Sequence, residues 1–224
     1  MYWILFIAIA VASYVVQQNL QQKFKRFSQI PTNDGLSGCE VAMKMLQENG
    51  IYDVQVTCID GQLTDHYDPT KKTVNLSRDV YNGRNITAAA VAAHECGHAV
   101  QHAVAYGPLQ MRSALVPVVQ FASNWVTWVL LAGMIFINTF PGIMLAGIVL
   151  FALTTIFSMV TLPVEVDASR RAIAWMKHAG VADSRTVEPA VEALRAAAYT
   201  YVVAAISSLG TLMYYVMIYM GRRN

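Results

Sequence analysis

Three runs of the chain carry no Asp, Glu, Lys or Arg: Met1 to Gln22, Ser113 to Val164 and Ala196 to Gly221. A helix that crosses a bilayer needs about 20 mostly apolar residues. The first and third runs each suit one crossing. The middle run is long enough for two crossings and a turn, and Asn138-Thr139-Phe140-Pro141-Gly142 supplies the turn chemistry. The pattern therefore predicts four transmembrane helices, at roughly 2–19, 115–137, 143–162 and 198–220. The strongly apolar part of the first ends near Val16, so a cleaved signal peptide is the alternative there. No basic residue precedes it and no small-x-small site follows it, which favours an uncleaved anchor.

Two polar stretches remain, 23–112 and 163–197. Two crossings separate them, so both must face the same side of the membrane. The first reads as mixed α and β. Ser37-Gly38-Cys39-Glu40 has the form of a capping box for a helix over 37–49, which Asn49-Gly50 ends. Residues 52–59 alternate as a strand, with Val54, Val56 and Cys58 on one face. Asp60-Gly61 and Asp68-Pro69-Thr70 are turn signals, and a short strand follows at Thr73-Val74-Asn75-Leu76. Thr87 is placed to cap a helix to about Ala103, whose interior is rich in alanine, the strongest helix former. The expected organisation is an anchor (1–22), a catalytic domain (23–112), a two-span hairpin (113–162), a helical segment (163–197) and a last span (198–224).

Composition agrees with a membrane protein. Hydrophobic residues make up 55% of the chain and charged residues 13%, against about 25% charged in an ordinary soluble domain. The net charge of +2 says little about partners, and nothing in it points to nucleic acid. Lys23, Lys25 and Arg26 follow the first span, and only Arg222 and Arg223 lie beyond the last. The positive-inside rule then puts both polar stretches in the cytoplasm. Cys39, Cys58 and Cys96 have no metal-cluster spacing and form no disulfide framework, which suits a reducing compartment.

The candidate chemistry lies in His94-Glu95-Cys96-Gly97-His98, inside the alanine-rich helix. Residues at i and i+4 share a helix face, so both imidazoles can meet one Zn²⁺. Glu95, beside them, is placed to act as general base toward the attacking water. With 5 His in the chain, about 0.003 chance matches to this pattern are expected. Gly97 allows another segment to approach closely. A catalytic zinc needs a third protein ligand and an open position. His102 falls on the same stripe, but it lies about 12 Å along the helix from His94; it either sits at the edge of the site or faces water. Glu165 is the better candidate: it is the first charge after the middle run, and the membrane crossings return it to the side of the histidines. Its alternative role is to start the next helix, where an acid suits the dipole. Asp167 is a candidate to orient a ligating histidine. His66, Tyr67, His102 and His178 are candidates to stabilise an oxyanion. The strand near 73–77 could pair with an extended substrate by strand addition.

Three segments, Leu63-Thr64-Asp65-His66-Tyr67-Asp68-Pro69, Ala93 to His102, and Leu162-Pro163-Val164-Glu165-Val166-Asp167-Ala168-Ser169, resemble the YugP-type neutral membrane zinc metallopeptidases. The resemblance covers nearly the whole chain. It implies a zinc-dependent peptidase of the bacterial inner (cell) membrane, with His94 and His98 as ligands and Glu95 catalytic. Related Glu-ligand zinc peptidases carry Glu-x-x-x-Asp, whereas here Ser169 stands at the Asp position. The fold expected is an α-helical membrane protein with a small α+β, zincin-like catalytic domain. The function expected is hydrolysis of protein or peptide substrates, membrane proteins among them, near the bilayer surface with one catalytic Zn²⁺. A non-catalytic, zinc-stabilised membrane adaptor is the alternative. A channel is disfavoured, because the spans hold no Asp, Glu, Lys, Arg or His.

Overall fold

A computed structural model describes residues 2–221. Arg222 and Arg223 lie outside the described residues. The elements, in chain order, are α1 (Tyr2–Phe27), α2 (Gly38–Glu48), β1 (Gln55–Ile59), β2 (His66–Asp68), β3 (Thr73–Ser77), α3 (Arg78–Asn82), α4 (Ile86–Ala103), α5 (Gly107–Ile135), α6 (Pro141–His178) and α7 (Val187–Gly221).

Four helices, α1, α5, α6 and α7, are long and apolar enough to cross a membrane. Their outer faces carry large bare side chains, among them Trp3, Trp128 and Ile135. Such a surface is costly in water and at ease among lipid tails. All four helices run past the predicted spans. α1 continues through Lys23, Lys25 and Arg26 to Phe27, and α5 begins at Gly107, soon after α4 ends. α6 does not stop at Pro163 but runs unbroken to His178. The stretch 163–197 is therefore not one segment. It is the polar end of α6 and the start of α7, divided by a turn in which Asp183 accepts the backbone N–H groups of Arg185 and Thr186.

The polar part is built on α4. Its alanines are buried on every side, as expected of a helix apolar all round. Val41 and Met45 of α2, Val74 and Leu76 of β3, and Ala172 and Met176 of α6 pack with it in one core. Small side chains let these neighbours come close. The Ser37–Glu40 capping box of α2 is formed in both directions. The cap of α4 is Asn85 rather than Thr87: the Asn85 side chain accepts the Ala88 N–H at 2.9 Å, and Thr87 is buried as the second residue of the helix.

The sheet has the order β1-β3-β2, with β1 parallel and β2 antiparallel to β3. One expectation changes here. Val54 and Val56 reach the core, while Cys58, further along the same face of β1, is exposed. β3 is the middle strand with both edges paired, so 73–77 has no edge to offer an extended substrate. The pattern did not foresee β2, because three residues are too few to show a period.

Candidate metal centre

α4 presents His94 and His98 on one face, and α6 crosses that face at Glu165. The crossing is close because of Gly97: a Cβ there would stand 2.7 Å from the Ala168 carbonyl oxygen of α6. With the helices in contact, Glu165 Oε2 lies 3.2 Å from His94 Nε2 and 3.5 Å from His98 Nε2. One donor atom from each of the three side chains lies within 4.8 Å of the others. Two ligand atoms about 2.05 Å from a tetrahedral zinc stand about 3.3 Å apart, which the two observed separations bracket. The donor set, two neutral imidazoles and a carboxylate, also suits zinc. The residues present fit the ion.

The far nitrogen of each ring is occupied, which leaves Nε2 for the centre. His94 Nδ1 lies 3.1 Å from Ser169 Oγ. His98 Nδ1 lies 3.0 Å from Gln101 Oε1. Gln101 is fully buried, and its amide donates to the Val164 carbonyl and to Asp167 Oδ2, both at 2.8 Å. These two acceptors fix which end of the amide faces His98. The amide oxygen can only accept, so His98 carries a proton on Nδ1, and in the neutral ring the lone pair falls on Nε2. Asp167 thus touches Gln101 and, at 2.6 Å, Arg171, and it reaches the histidine through Gln101. Burial alone would lower the pKa of His98. The bond to Glu165, the charges of Glu95 and Glu165, and the bond to Gln101 outweigh it and hold the imidazolium above its ordinary range.

Glu165 divides its two oxygens. Oε2 faces the histidines, and Oε1 lies 3.8 Å from the Arg112 guanidinium of α5. Glu95 is buried and lines the same cavity as His94 and Glu165. Cys96 points the other way: its thiol donates to the Ala42 carbonyl, and burial, then the Glu95 charge, push its pKa well up. His102 is not in the cluster. Its Nδ1 lies 3.2 Å from the Tyr67 hydroxyl. His66 sits on β2, exposed, with Nδ1 2.7 Å from the Thr64 carbonyl oxygen and Nε2 3.2 Å from the Asn75 amide. His178 ends α6, well along the helix from Glu165.

Sequence reasoning passed over Gln101 and Arg112, and treated Ser169 only as a departure from pattern. Signals existed for all three. Gln101 is three residues after His98 and Ser169 four after Glu165, so each shares its ligand's helix face. Arg112 is the last charge before the middle apolar run, as Glu165 is the first after it. Tyr201 of α7 also lines the cavity, and nothing in its local sequence marks it.

Four helices long and apolar enough to cross a membrane, with a His/His/Glu cluster between α4 and α6 that could hold a metal ion, suit a membrane-bound metalloprotein. The comparisons with known proteins make this more specific. The model of the family described as "Putative neutral zinc metallopeptidase" matches residues 2–220, and the chain belongs to that family. It is 40% identical to the "Putative membrane protease YugP" of Bacillus subtilis (strain 168), over 98% of this chain and 99% of that protein. No solved structure matches.

Proposed function

We propose that the protein is a zinc-dependent peptidase that hydrolyses peptide bonds at the membrane surface, with His94, His98 and Glu165 holding one catalytic ion and Glu95 acting as general base. The observation that carries this reading is the convergence of the two Nε2 atoms and Glu165 Oε2 beside the buried Glu95. A zinc ion bound there would polarise the scissile carbonyl and acidify a water. Glu95 takes the proton as the water oxygen adds to the carbonyl carbon, then delivers it to the amide nitrogen as the C–N bond breaks. Ser169 and Gln101 keep both Nδ1 atoms engaged and the rings aimed. Asp167 serves by holding the Gln101 amide. His66 on β2, and His102 on α4 with its Nδ1 3.2 Å from the Tyr67 hydroxyl, are the candidates to contact the oxyanion or the substrate chain.

The small sheet, α4 and the start of α5 (23–112) form the zincin-like part of this reading, completed by the polar end of α6 and the first turns of α7 (163–197). The anchor (1–22), the hairpin (113–162) and the last span (198–224) hold it at the bilayer. Lys23, Lys25 and Arg26 next to the first span favour a cytoplasmic site in a bacterial cell membrane.

The test is Glu95→Gln. The variant keeps its zinc and loses cleavage of an unfolded protein substrate by about 10²–10⁴-fold. A Glu95→Gln protein that binds zinc and cleaves at the wild-type rate rules the mechanism out.

A further inference from the structure

The metal cluster opens into a cavity of about 340 Å³, and this cavity is not a closed pocket of the polar domain. It shares Leu20, Phe24, Leu63 and Asp65 with a second cavity of about 700 Å³. The two cavities adjoin at these residues, and we take them together as one groove. One end of it is polar, beside Asp79, Asn85 and Thr87. The other end runs past Glu95 and Glu165 to Gln17 of α1 and to Ala198, Thr200 and Tyr201 of α7.

Ion pairs mark where this second end lies relative to a membrane. Lys23 of α1 meets Glu192 of α7 at 3.0 Å, and Arg112 of α5 meets Glu165 of α6 at 3.8 Å. Beyond Lys23, Arg112, Glu165 and Arg195 the four helices carry no further charge among the described residues. These pairs sit at the level where the helices turn from polar to apolar, and Glu165 places the metal cluster there too. Gln17, Ala198, Thr200 and Tyr201 lie on the apolar side of that level. α1 is pinned to α7 at two heights. One pin is the Lys23–Glu192 pair. The other is an edge contact of Phe6 on Tyr214, with ring centroids 5.3 Å apart. On the apolar side of the first pin the cavity is lined by Gln17 of α1 and by Ala198, Thr200 and Tyr201 of α7.

Resting on the peptidase reading above, we propose that the substrate is a polypeptide anchored in the bilayer, which enters from the lipid side between α1 and α7. It lies extended along the groove, with apolar residues against Leu20, Leu194 and Ala198 and its polar continuation toward Asp79 and Asn85.

Photo-crosslinking tests this without relying on turnover. Benzoylphenylalanine is placed at Gln17, Ala198 or Trp128 in the full-length, zinc-loaded Glu95→Gln protein in phosphatidylethanolamine/phosphatidylglycerol vesicles. Trp128 is 68% exposed on α5 and serves as the lipid-facing control. The probes are a biotinylated peptide with an apolar span of about 20 residues and a polar tail, and that tail alone. The expected result is about ten-fold or more crosslinking of the anchored probe from Gln17 and Ala198 over Trp128, with the tail alone at control level. Crosslinking from both positions no higher than from Trp128, or equal capture of the tail alone, overturns the proposal. Zinc-dependent cleavage of an unfolded soluble protein, lost in Glu95→Gln, is measured in parallel. If it is seen without the crosslinks, lipid-side entry falls and the peptidase reading stands.

Discussion

Replacing Gln101 with Leu tests how the centre is held. Gln101 touches neither the candidate ion nor Glu165, yet its side chain joins three things: His98 Nδ1 at 3.0 Å, the Val164 carbonyl at 2.8 Å and Asp167 Oδ2 at 2.8 Å. Leucine has nearly the same volume, so the core stays filled and no cavity term arises. What is lost is the acceptor that keeps the His98 proton on Nδ1 and the donor that satisfies a buried carbonyl. Removing such a partner of a ligating histidine typically costs 10–100-fold in metal affinity, or about 1.4–2.7 kcal/mol. The orphaned carbonyl and imidazole cost a further 1–3 kcal/mol or so of fold stability. Zinc affinity is read by competition with a chromogenic chelator, and stability by thermal unfolding in detergent. Gln101→Leu should lose on both. Gln101→Glu keeps the acceptor for His98 and loses the donor, so it should fall between wild type and Leu in zinc affinity. If Gln101→Leu binds zinc as tightly as wild type, the chain from Asp167 through Gln101 to His98 does not set the ring, and the account of the tautomer is wrong.

Three other outcomes follow from the same geometry. Gly97→Ala puts a methyl against the Ala168 backbone, so thermal unfolding should show a loss of about 1–3 kcal/mol, together with lower zinc content as α6 is pushed from α4; an unperturbed variant would mean the crossing has slack. Ser169→Ala should weaken zinc binding less than Gln101→Leu, because Ser169 is only half-buried and water can take over the bond to His94 Nδ1. Stripping the metal with a chelator should expose a pH dependence. His98 has a folded pKa raised above its ordinary 6.5, so its contribution to the metal-free fold is complete below about pH 6.5 and is lost as pH rises through the raised value. The midpoint of metal-free protein should therefore fall relative to zinc-loaded protein as pH rises above about 6.5, while zinc affinity rises in the same direction because the ion needs neutral imidazole. Parallel curves for the two forms would remove the Glu165–His98 pairing as the cause.

The large-scale arrangement was legible because charge is excluded from a bilayer, and three uncharged runs are hard to misread. The bounds were less so. The third span was expected to stop near 162, but the helix, packed along α4 on its polar side, continues to His178. The centre was half legible. His94 and His98 are fixed by a local spacing, and Glu165 was reachable by counting crossings. The sheet order was not, since nothing in 73–77 says whether its neighbours come from one side or both. Gln101 was hidden for another reason. A glutamine near the end of an alanine-rich helix reads as an exposed polar residue, and only the arrival of α6, with its Val164 carbonyl and Asp167, makes it a buried connector.

Glu165 belongs to the same unbroken helix that runs through the apolar stretch, and its partner His94 lies 71 residues earlier on α4. The order of assembly follows. α4 can form as soon as it is synthesised, but a carboxylate joins it only after the α5–α6 hairpin has gone into the lipid and come back. A chain still in the aqueous phase has two histidines and a base without a third ligand. On the peptidase reading proposed above, insertion would then be the arming step, and the centre would stay silent in any molecule that misses its membrane.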